Sequence, residues 1–450
     1  MPEQVDVVVV GMGPGGESAA AELARAGLAV VGVERRLVGG ECPYYGCIPT
    51  KMIVRASDAI AEARRVPALG GTADVAPDFA TVAQRIRGEA TDDWNDQVAA
   101  DRFTDAGGRL VRGEAVITGP GAIRVGEQEF AVAKAIILNS GTEPAVPPIP
   151  GLADTPYWTN RDAVAATEAP ESLIVLGGGA IGAELAQAFS RFGTKVTVFE
   201  AAERLLALEE PESGELVAKV FREEGIAVHT GAAVGSVAHD GDRFAVTAGT
   251  VTVEADRLLV ATGRRPNIRG LGLEAVGVDA SGRSLDADEH LRLTDGVYAI
   301  GDIVGRGAFT HMSMYQAKIV TDHVLGNENA GAEYHAVPRV TFTDPEVGAV
   351  GVTEQQARDQ GLAVATSISE IPNSSRGWIH KTGNEGFIKL VADSGRGILV
   401  GATSAGPTGG EVLSMLTLAV HERIPISSLR RMIYAYPTFH RAVEDALSRL

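Results

Sequence analysis

The apolar positions of this chain fall into short blocks separated by glycine-rich turns, and one series of blocks occurs twice. Val5 to Val10 is a near-continuous aliphatic run, the pattern of a strand buried on both faces of a parallel sheet. It leads into Gly11-Met12-Gly13-Pro14-Gly15-Gly16. The spacing then predicts a helix from Glu17 to Ala26 and a second strand ending at Glu34. Leu173 to Leu176 begins the same series. Gly177-Gly178-Gly179-Ala180-Ile181-Gly182 follows, then a helix through Phe192 and a strand from Lys195 to Phe199 ending at Glu200. In both copies the acidic residue stands 23 positions after the first glycine.

Each copy has the chemistry of a dinucleotide site. Gly11 and Gly177 permit the tight strand-to-helix turn, Gly13 and Gly179 let the backbone approach a pyrophosphate, and Gly16 and Gly182 let helix pack on strand. The helix N-terminus presents free N–H groups and the positive end of its dipole to phosphate. Glu34 and Glu200 are placed to accept hydrogen bonds from adenosine ribose hydroxyls. A carboxylate at Glu200 repels the 2′-phosphate of NADP, which favours NAD(H) over NADP(H), with Arg204 nearby as the opposing charge. A plain alternative is that Glu200 only ends a strand in solvent.

Each half then returns to its sheet, through Ile136-Ile137-Leu138-Asn139-Ser140-Gly141 and Leu258-Leu259-Val260-Ala261-Thr262-Gly263. The first half also holds an insertion, about residues 39–105, with a long helical stretch and no counterpart in the second. That insertion contains Cys42 and Cys47, the only two cysteines among 450 residues. Two thiols in one six-residue window beside a nucleotide site point to electron transfer between a dinucleotide and a disulfide. Gly46 and Pro49 suggest a helix beginning near Cys47, whose dipole favours a thiolate there. A structural disulfide is the bland alternative. A metal site lacks further Cys or nearby His ligands.

Length indicates several domains, and the 45% apolar and 22% charged composition is that of a globular protein. Net charge of -18 argues against nucleic acid and anionic membrane as partners. No apolar run is long enough for membrane insertion, and Met1 to Asp6 has no basic leader, so a cytoplasmic location is expected.

Gly39-Gly40-Glu41-Cys42-Pro43-Tyr44-Tyr45-Gly46-Cys47-Ile48-Pro49-Thr50-Lys51 resembles the redox motif of the class I pyridine nucleotide–disulfide oxidoreductases. These include dihydrolipoamide dehydrogenase, glutathione reductase and mercuric reductase. The second glycine motif with Glu184, and Ala261-Thr262-Gly263-Arg264-Arg265-Pro266-Asn267, resemble the family's NAD domain. Tyr298-Ala299-Ile300-Gly301-Asp302 is similar to its second FAD motif, and Val337 to Glu346 to its dimer-interface domain.

The resemblance implies an α/β fold: two Rossmann-type dinucleotide-binding domains plus a C-terminal α+β dimer-interface domain, working as a homodimer. The expected boundaries are 1–150 for the FAD domain with its redox helix, 151–266 for the NAD(H) domain, 267–334 for the return to the FAD or central domain, and 335–450 for dimerisation. By motif position the cofactor residues are Gly11, Gly13, Pro14, Gly15, Gly16, Glu34, Arg35, Gly40, Glu41, Ser140, Gly141, Gly301, Asp302, Met312 and Ser313 for FAD. Gly177, Gly179, Ile181, Gly182, Glu200, Ala261, Thr262 and Gly263 are those for NAD(H). The resemblance also implies a catalytic set of Cys42, Cys47, Lys51 and Glu184. Cys47 contacts the flavin, Cys42 attacks the incoming disulfide, and Lys51 pairs with Glu184 beside the ring.

The C-terminal motif departs from the family. A His-Pro-Thr sequence with a following Glu is replaced by Tyr436-Pro437-Thr438-Phe439-His440-Arg441. A phenol is a poor base at neutral pH, so Tyr436 is expected to donate a hydrogen bond, and His440 with Glu444 is a candidate replacement on a helical face. The lost dyad argues against lipoamide or glutathione as substrate. The lack of a second cysteine pair argues against mercuric reductase and the large thioredoxin reductases. Two functions stay open: an NADH-dependent reductase of a small disulfide, working through a Cys42–Cys47 disulfide, or a quinone reductase in which the flavin serves the acceptor directly. A redox-sensing flavoprotein is a third.

Overall fold

The computed structural model describes residues 1–450 and divides into two units, one of residues 1–49, 85–145 and 264–334, the other of residues 50–84, 146–263 and 335–450. The first unit is built on an eight-stranded sheet. Its core is Glu3–Val10 flanked by Val30–Glu34 and Gln128–Leu138, all parallel, with Arg109–Arg112 parallel beyond Val30–Glu34. Val7, Val8 and Val9 are fully buried, as the unbroken aliphatic run requires. Val297–Ala299 joins the other edge in parallel, so the chain after residue 263 returns to complete the first sheet. Helices Pro14–Arg25 and Thr310–Leu325 belong to this unit.

The second unit holds three sheets. Ala227–His229, Lys195–Phe199, Ser172–Leu176 and Arg257–Val260 form a four-stranded parallel sheet, with Ala180–Arg191 following the glycine turn. Ser236–His239, Phe244–Ala248 and Val251–Ala255 make a small antiparallel sheet. The C-terminal part is a five-stranded antiparallel sheet from Pro338–Thr341 to Val364–Glu370, covered by helix Gly409–His421. Two Rossmann-type sheets and an antiparallel C-terminal domain are the α/β architecture expected. The insertion supplies the 19-residue helix Cys47–Arg65, whose first residue is Cys47, as predicted.

Candidate active site

In the first unit the glycine turn is dictated by close approach. Gly11 has φ of +91°, and a Cβ there would strike the Asn139 carbonyl oxygen. The helix begins at Pro14 rather than at the expected Glu17, because proline's fixed φ suits the first helical position and its missing N–H costs nothing there. The first-turn N–H groups have no acceptor within the helix, and no side chain caps them. The Asn139 side-chain amide donates to the Gly11 carbonyl at 3.1 Å. A Cβ on Gly301 would lie 2.9 Å from the Asn139 amide oxygen, and one on Gly15 2.7 Å from the Ser313 carbonyl oxygen. Gly301 is held by its N–H donating to Gln316 Oε1 at 2.6 Å. Met312 and Ser313 are buried in the first turns of Thr310–Leu325.

Glu34 is buried and does more than was expected of it. One carboxylate oxygen accepts the Met12 N–H at 2.8 Å and the other the Arg36 N–H at 2.7 Å, so it clamps its own glycine turn. Arg35 points outward to Glu114 at 3.3 Å. Asp302 accepts the Thr142 hydroxyl at 2.6 Å, Arg264 donates to the same hydroxyl at 2.7 Å, and Glu41 stands 3.6 Å from Arg264. Gly141 accepts the Asn267 N–H at 2.9 Å. Ser140 Oγ is buried with no protein partner.

The redox loop is fastened to this turn. Gly39 N–H donates to the Met12 carbonyl at 2.6 Å, and Gly40 approaches so closely that a Cβ would sit 2.9 Å from Gly13 Cα. Cys42 lies in the short helix Glu41–Tyr44, and Cys47 opens the long one. The two side chains are in hydrogen-bonding contact. Cys42 is pushed well above the ordinary thiol range by its hydrogen bond with Cys47 and then by burial, while Thr310 acts in the opposite sense. Thr310 Oγ1 is 3.5 Å from Cys47 Sγ. Tyr44 is buried, which raises its phenol, and nearby Asp96 and Glu17 add to the rise.

The second unit repeats the turn. Gly177 has φ of +105°, and a Cβ there would strike the Ala261 carbonyl oxygen. A Cβ on Gly182 would strike the Gly177 carbonyl, as one on Gly16 would strike that of Gly11. Gly179 caps the helix, and Ile181 lies in its first turn. Glu200 accepts the Gly178 N–H at 2.6 Å and the Ala202 N–H at 2.7 Å. Arg204 donates to the Ala207 carbonyl at 3.0 Å, within its own loop. Thr262 is exposed and Gly263 has φ of +122°.

Lys51 and Glu184 meet at 2.5 Å, with Glu184 4% exposed. The other Glu184 oxygen accepts the Phe342 N–H at 2.9 Å, and Lys51 Nζ lies 4.8 Å from the centre of the Phe342 ring. A buried carboxylate needs such partners. Tyr436 is exposed and donates to Ser375 Oγ at 3.1 Å. His440 precedes helix Arg441–Leu447, and Glu444 pairs with Arg441 at 2.8 Å.

Sequence reading missed Asn139, Thr142, Thr310 and Gln316 as supports of the first site. Asn139 carried a signal, since it stands immediately before the Ser140-Gly141 turn. Thr142, just after that turn, and Thr310, two residues before Met312, carried the same kind of signal, whereas Gln316 gives none because only the fold brings it to Gly301.

Two nucleotide-type turns, a thiol pair fastened to the first, and an antiparallel C-terminal sheet define a flavin- and nicotinamide-dependent disulfide oxidoreductase. The chain belongs to the pyridine nucleotide-disulphide oxidoreductase family, whose description matches residues 5–317 and whose dimerisation domain matches residues 337–447. It is 35% identical to a dihydrolipoyl dehydrogenase of Chlorobaculum tepidum over 98% of this chain and 96% of that protein. It is 32% identical to a mercuric reductase of Acidithiobacillus ferrooxidans over 97% of this chain and 81% of that one. The solved structure of the HOCl-induced flavoprotein disulfide reductase RclA from Escherichia coli superposes with a TM-score of 0.86 at 28% identity, covering 98% of this chain and 99% of that chain.

The family implies FAD and NAD(P)H, and the residues fit both. The buried, unpartnered Ser140 hydroxyl and the open first-turn N–H groups of Pro14–Arg25 suit a dinucleotide in the first unit. The repeated turn with its clamped carboxylate suits one in the second. No helix is long and apolar enough to cross a membrane.

Proposed function

We propose that this chain is a homodimeric, NADH-dependent FAD enzyme that reduces a small disulfide through Cys42 and Cys47. The observation that carries the reading is the meeting of both sulfurs with the Thr310 hydroxyl at the start of a long helix, on a loop bonded to the first glycine turn. The overall reaction is RSSR + NADH + H⁺ → 2 RSH + NAD⁺. FAD, when held by Gly11, Gly13, Gly15, Gly16, Glu34, Ser140 and Asp302, supplies the two-electron link between NADH and the thiol pair.

The chain's own groups do the rest. The N-terminus of Cys47–Arg65 favours negative charge on the Cys47 sulfur. Cys42 passes its proton to the Cys47 thiolate across their hydrogen bond and attacks one substrate sulfur, forming a mixed disulfide; the first thiolate leaves and takes up that proton from Cys47. Cys47 then displaces the second thiol and closes the Cys42–Cys47 bond. Tyr436, standing where the family has its histidine, is the hydrogen-bond donor we assign to the departing thiolate, and its hydroxyl turns from Ser375 to serve it. Glu200 selects NADH, because its carboxylate repels a 2′-phosphate and Arg204 is engaged with carbonyls of its own loop. The dimerisation region, with Trp378, Ile433 and Tyr436 exposed on the single chain, supplies the self-association surface.

A second reading, reduction of a planar acceptor such as a quinone, draws on Tyr436. Reducing a quinone needs no base of histidine strength, and a phenol suffices as hydrogen-bond donor. Cys42→Ser separates the two. Disulfide reduction is expected to fall at least about a hundredfold, while any NADH-to-quinone activity stays within about twofold. Surviving disulfide reduction in Cys42→Ser overturns the main reading, and loss of quinone turnover overturns the second.

A further inference from the structure

Residues 86–96 of the first unit form a strained strap against the redox loop. Ile86–Ala90 is a single π-helical turn, and Asp92, Asp93 and Trp94 follow with φ of +47°, +52° and +58°. Three consecutive left-handed residues, none of them glycine, persist only where the surroundings over-determine them. Here they do. Asp93 N–H donates to the Arg87 carbonyl at 2.7 Å and Asn95 N–H to that of Thr91 at 3.0 Å. Asp96 accepts the Val38 N–H at 2.6 Å and is gripped by both guanidinium nitrogens of Arg112, at 2.6 and 2.8 Å.

The strained residues deliver one ring. Trp94 stacks on Tyr45 with centroids 6.2 Å apart and planes 25° from parallel, and the Arg87 guanidinium carbon lies 5.4 Å from the indole. The indole N–H is buried without an acceptor, so the ring is placed by its faces rather than by a hydrogen bond. Tyr45 lies between the two cysteines.

We propose that Trp94 is a positioning residue for the redox pair: by stacking on Tyr45 it pins the loop between Cys42 and Cys47 with the two sulfurs in hydrogen-bonding contact, and so favours their closure as a disulfide. Pinning raises the effective concentration of one thiol at the other. The inference rests on the reading of Cys42 and Cys47 as a cycling pair.

The test equilibrates the purified enzyme in glutathione buffers, protein disulfide + 2 GSH ⇌ protein dithiol + GSSG, and counts thiols by alkylation and mass spectrometry. With two cysteines in the chain the count is unambiguous. Trp94→Ala is expected to move the equilibrium about three- to tenfold toward the dithiol. Trp94→Phe, which keeps a stacking ring, restores it to within about twofold, and Tyr45→Ala gives the same shift as Trp94→Ala. The double variant shifts no further than either single one. An unchanged equilibrium in folded Trp94→Ala overturns the proposal, as does full additivity in the double variant. Tyr45→Ala carries the test if Trp94→Ala does not fold. A wild-type protein that closes no disulfide at any buffer ratio overturns the redox-pair reading itself, whereas wild type and Trp94→Ala titrating together overturn only this inference.

Discussion

Helices Pro14–Arg25 and Ala180–Arg191 are each 12 residues long and open on the same glycine turn, yet their outward faces do opposite work. The first is lined with small residues: Gly15, Ala19, Ala20 and Ala21 are buried, and Gly15 fits closely against Ser313. Its last residue, Arg25, is exposed. At the positions equivalent to Ser18, Ala21 and Arg25 the second has Glu184, Gln187 and Arg191, all buried. Glu184 binds Lys51 and the Phe342 N–H. Gln187 donates to the Asp344 carbonyl at 2.8 Å and accepts the Asp344 N–H at 2.8 Å. Arg191, 3% exposed, reaches Asp58 and Glu224 at 2.6 Å and Asp344 at 2.7 Å. The nucleotide-facing end is therefore repeated faithfully, because backbone approach dictates it. The outward face is free to vary, and in the second copy it becomes a polar seam that ties helix Cys47–Arg65 and the segment at residues 342–344 to the nucleotide helix.

The sharpest break of this comparison is at the two terminal arginines. Arg191→Ala leaves three carboxylates around a buried void and should cost about 3–5 kcal/mol, whereas Arg25→Ala should stay within about 0.5 kcal/mol. Urea midpoints of the two variants decide it; similar losses would mean that the faces do not differ.

The carboxylate clamps come next. Glu34→Gln and Glu200→Gln each replace an oxygen that accepts an N–H with an amide donor, at about 1.5–3 kcal/mol. The readouts should separate: Glu34→Gln lowers bound flavin per chain, and Glu200→Gln raises the KM for NADH about tenfold at unchanged flavin content. A flavin loss in both would dissolve the assignment of one cofactor to each turn.

The smallest effect is at Asp58. Burial pushes its carboxyl up to about 7, with Arg191 offsetting part of the rise and Asp344 and Glu346 adding to it. Arg191 is itself raised by Glu224, Asp344 and Asp58 once its own burial is overcome, so the guanidinium stays charged and the proton goes to a carboxylate. Arg55 also lowers the Asp58 carboxyl, and Glu224 shares the Arg191 guanidinium. An acid raised on folding costs stability above that value, and the cost disappears as pH falls through about 7 toward the unfolded value near 4. The Asp58 side chain is about one-third exposed, which leaves about 1 kcal/mol after screening. Asp58→Asn should therefore raise the thermal midpoint by a few degrees at pH 8 and by nothing at pH 4. A constant difference across that range would remove Asp58 as the titrating group.

Much of this was legible in the chain. The repeated turns, the Cys47 helix start, the Lys51–Glu184 pair and the α/β class follow from local spacing and from motif resemblance. The helix start at Pro14 was misplaced because glycines before residue 17 read as turn, although proline at the first position is itself a helix signal. The clamping role of Glu34 and Glu200 was missed because a carboxylate 22 residues from Met12 or Gly178 declares its partner only once the strand lies beside the turn.

By itself the sequence determined where backbone must come close: glycines at 11, 16, 177 and 182, each required by a steric clash within its own βα turn or with the neighbouring strand. Only the tertiary structure decided which side chains neutralise which. Arg191 with Asp58 and Asp344, Thr310 with Cys47, and Trp94 with Tyr45 are separated by tens to hundreds of residues. Backbone sterics act over a few residues and so are written locally. Charge pairing, hydrogen bonding between side chains and ring stacking depend on separation in space, which folding alone sets.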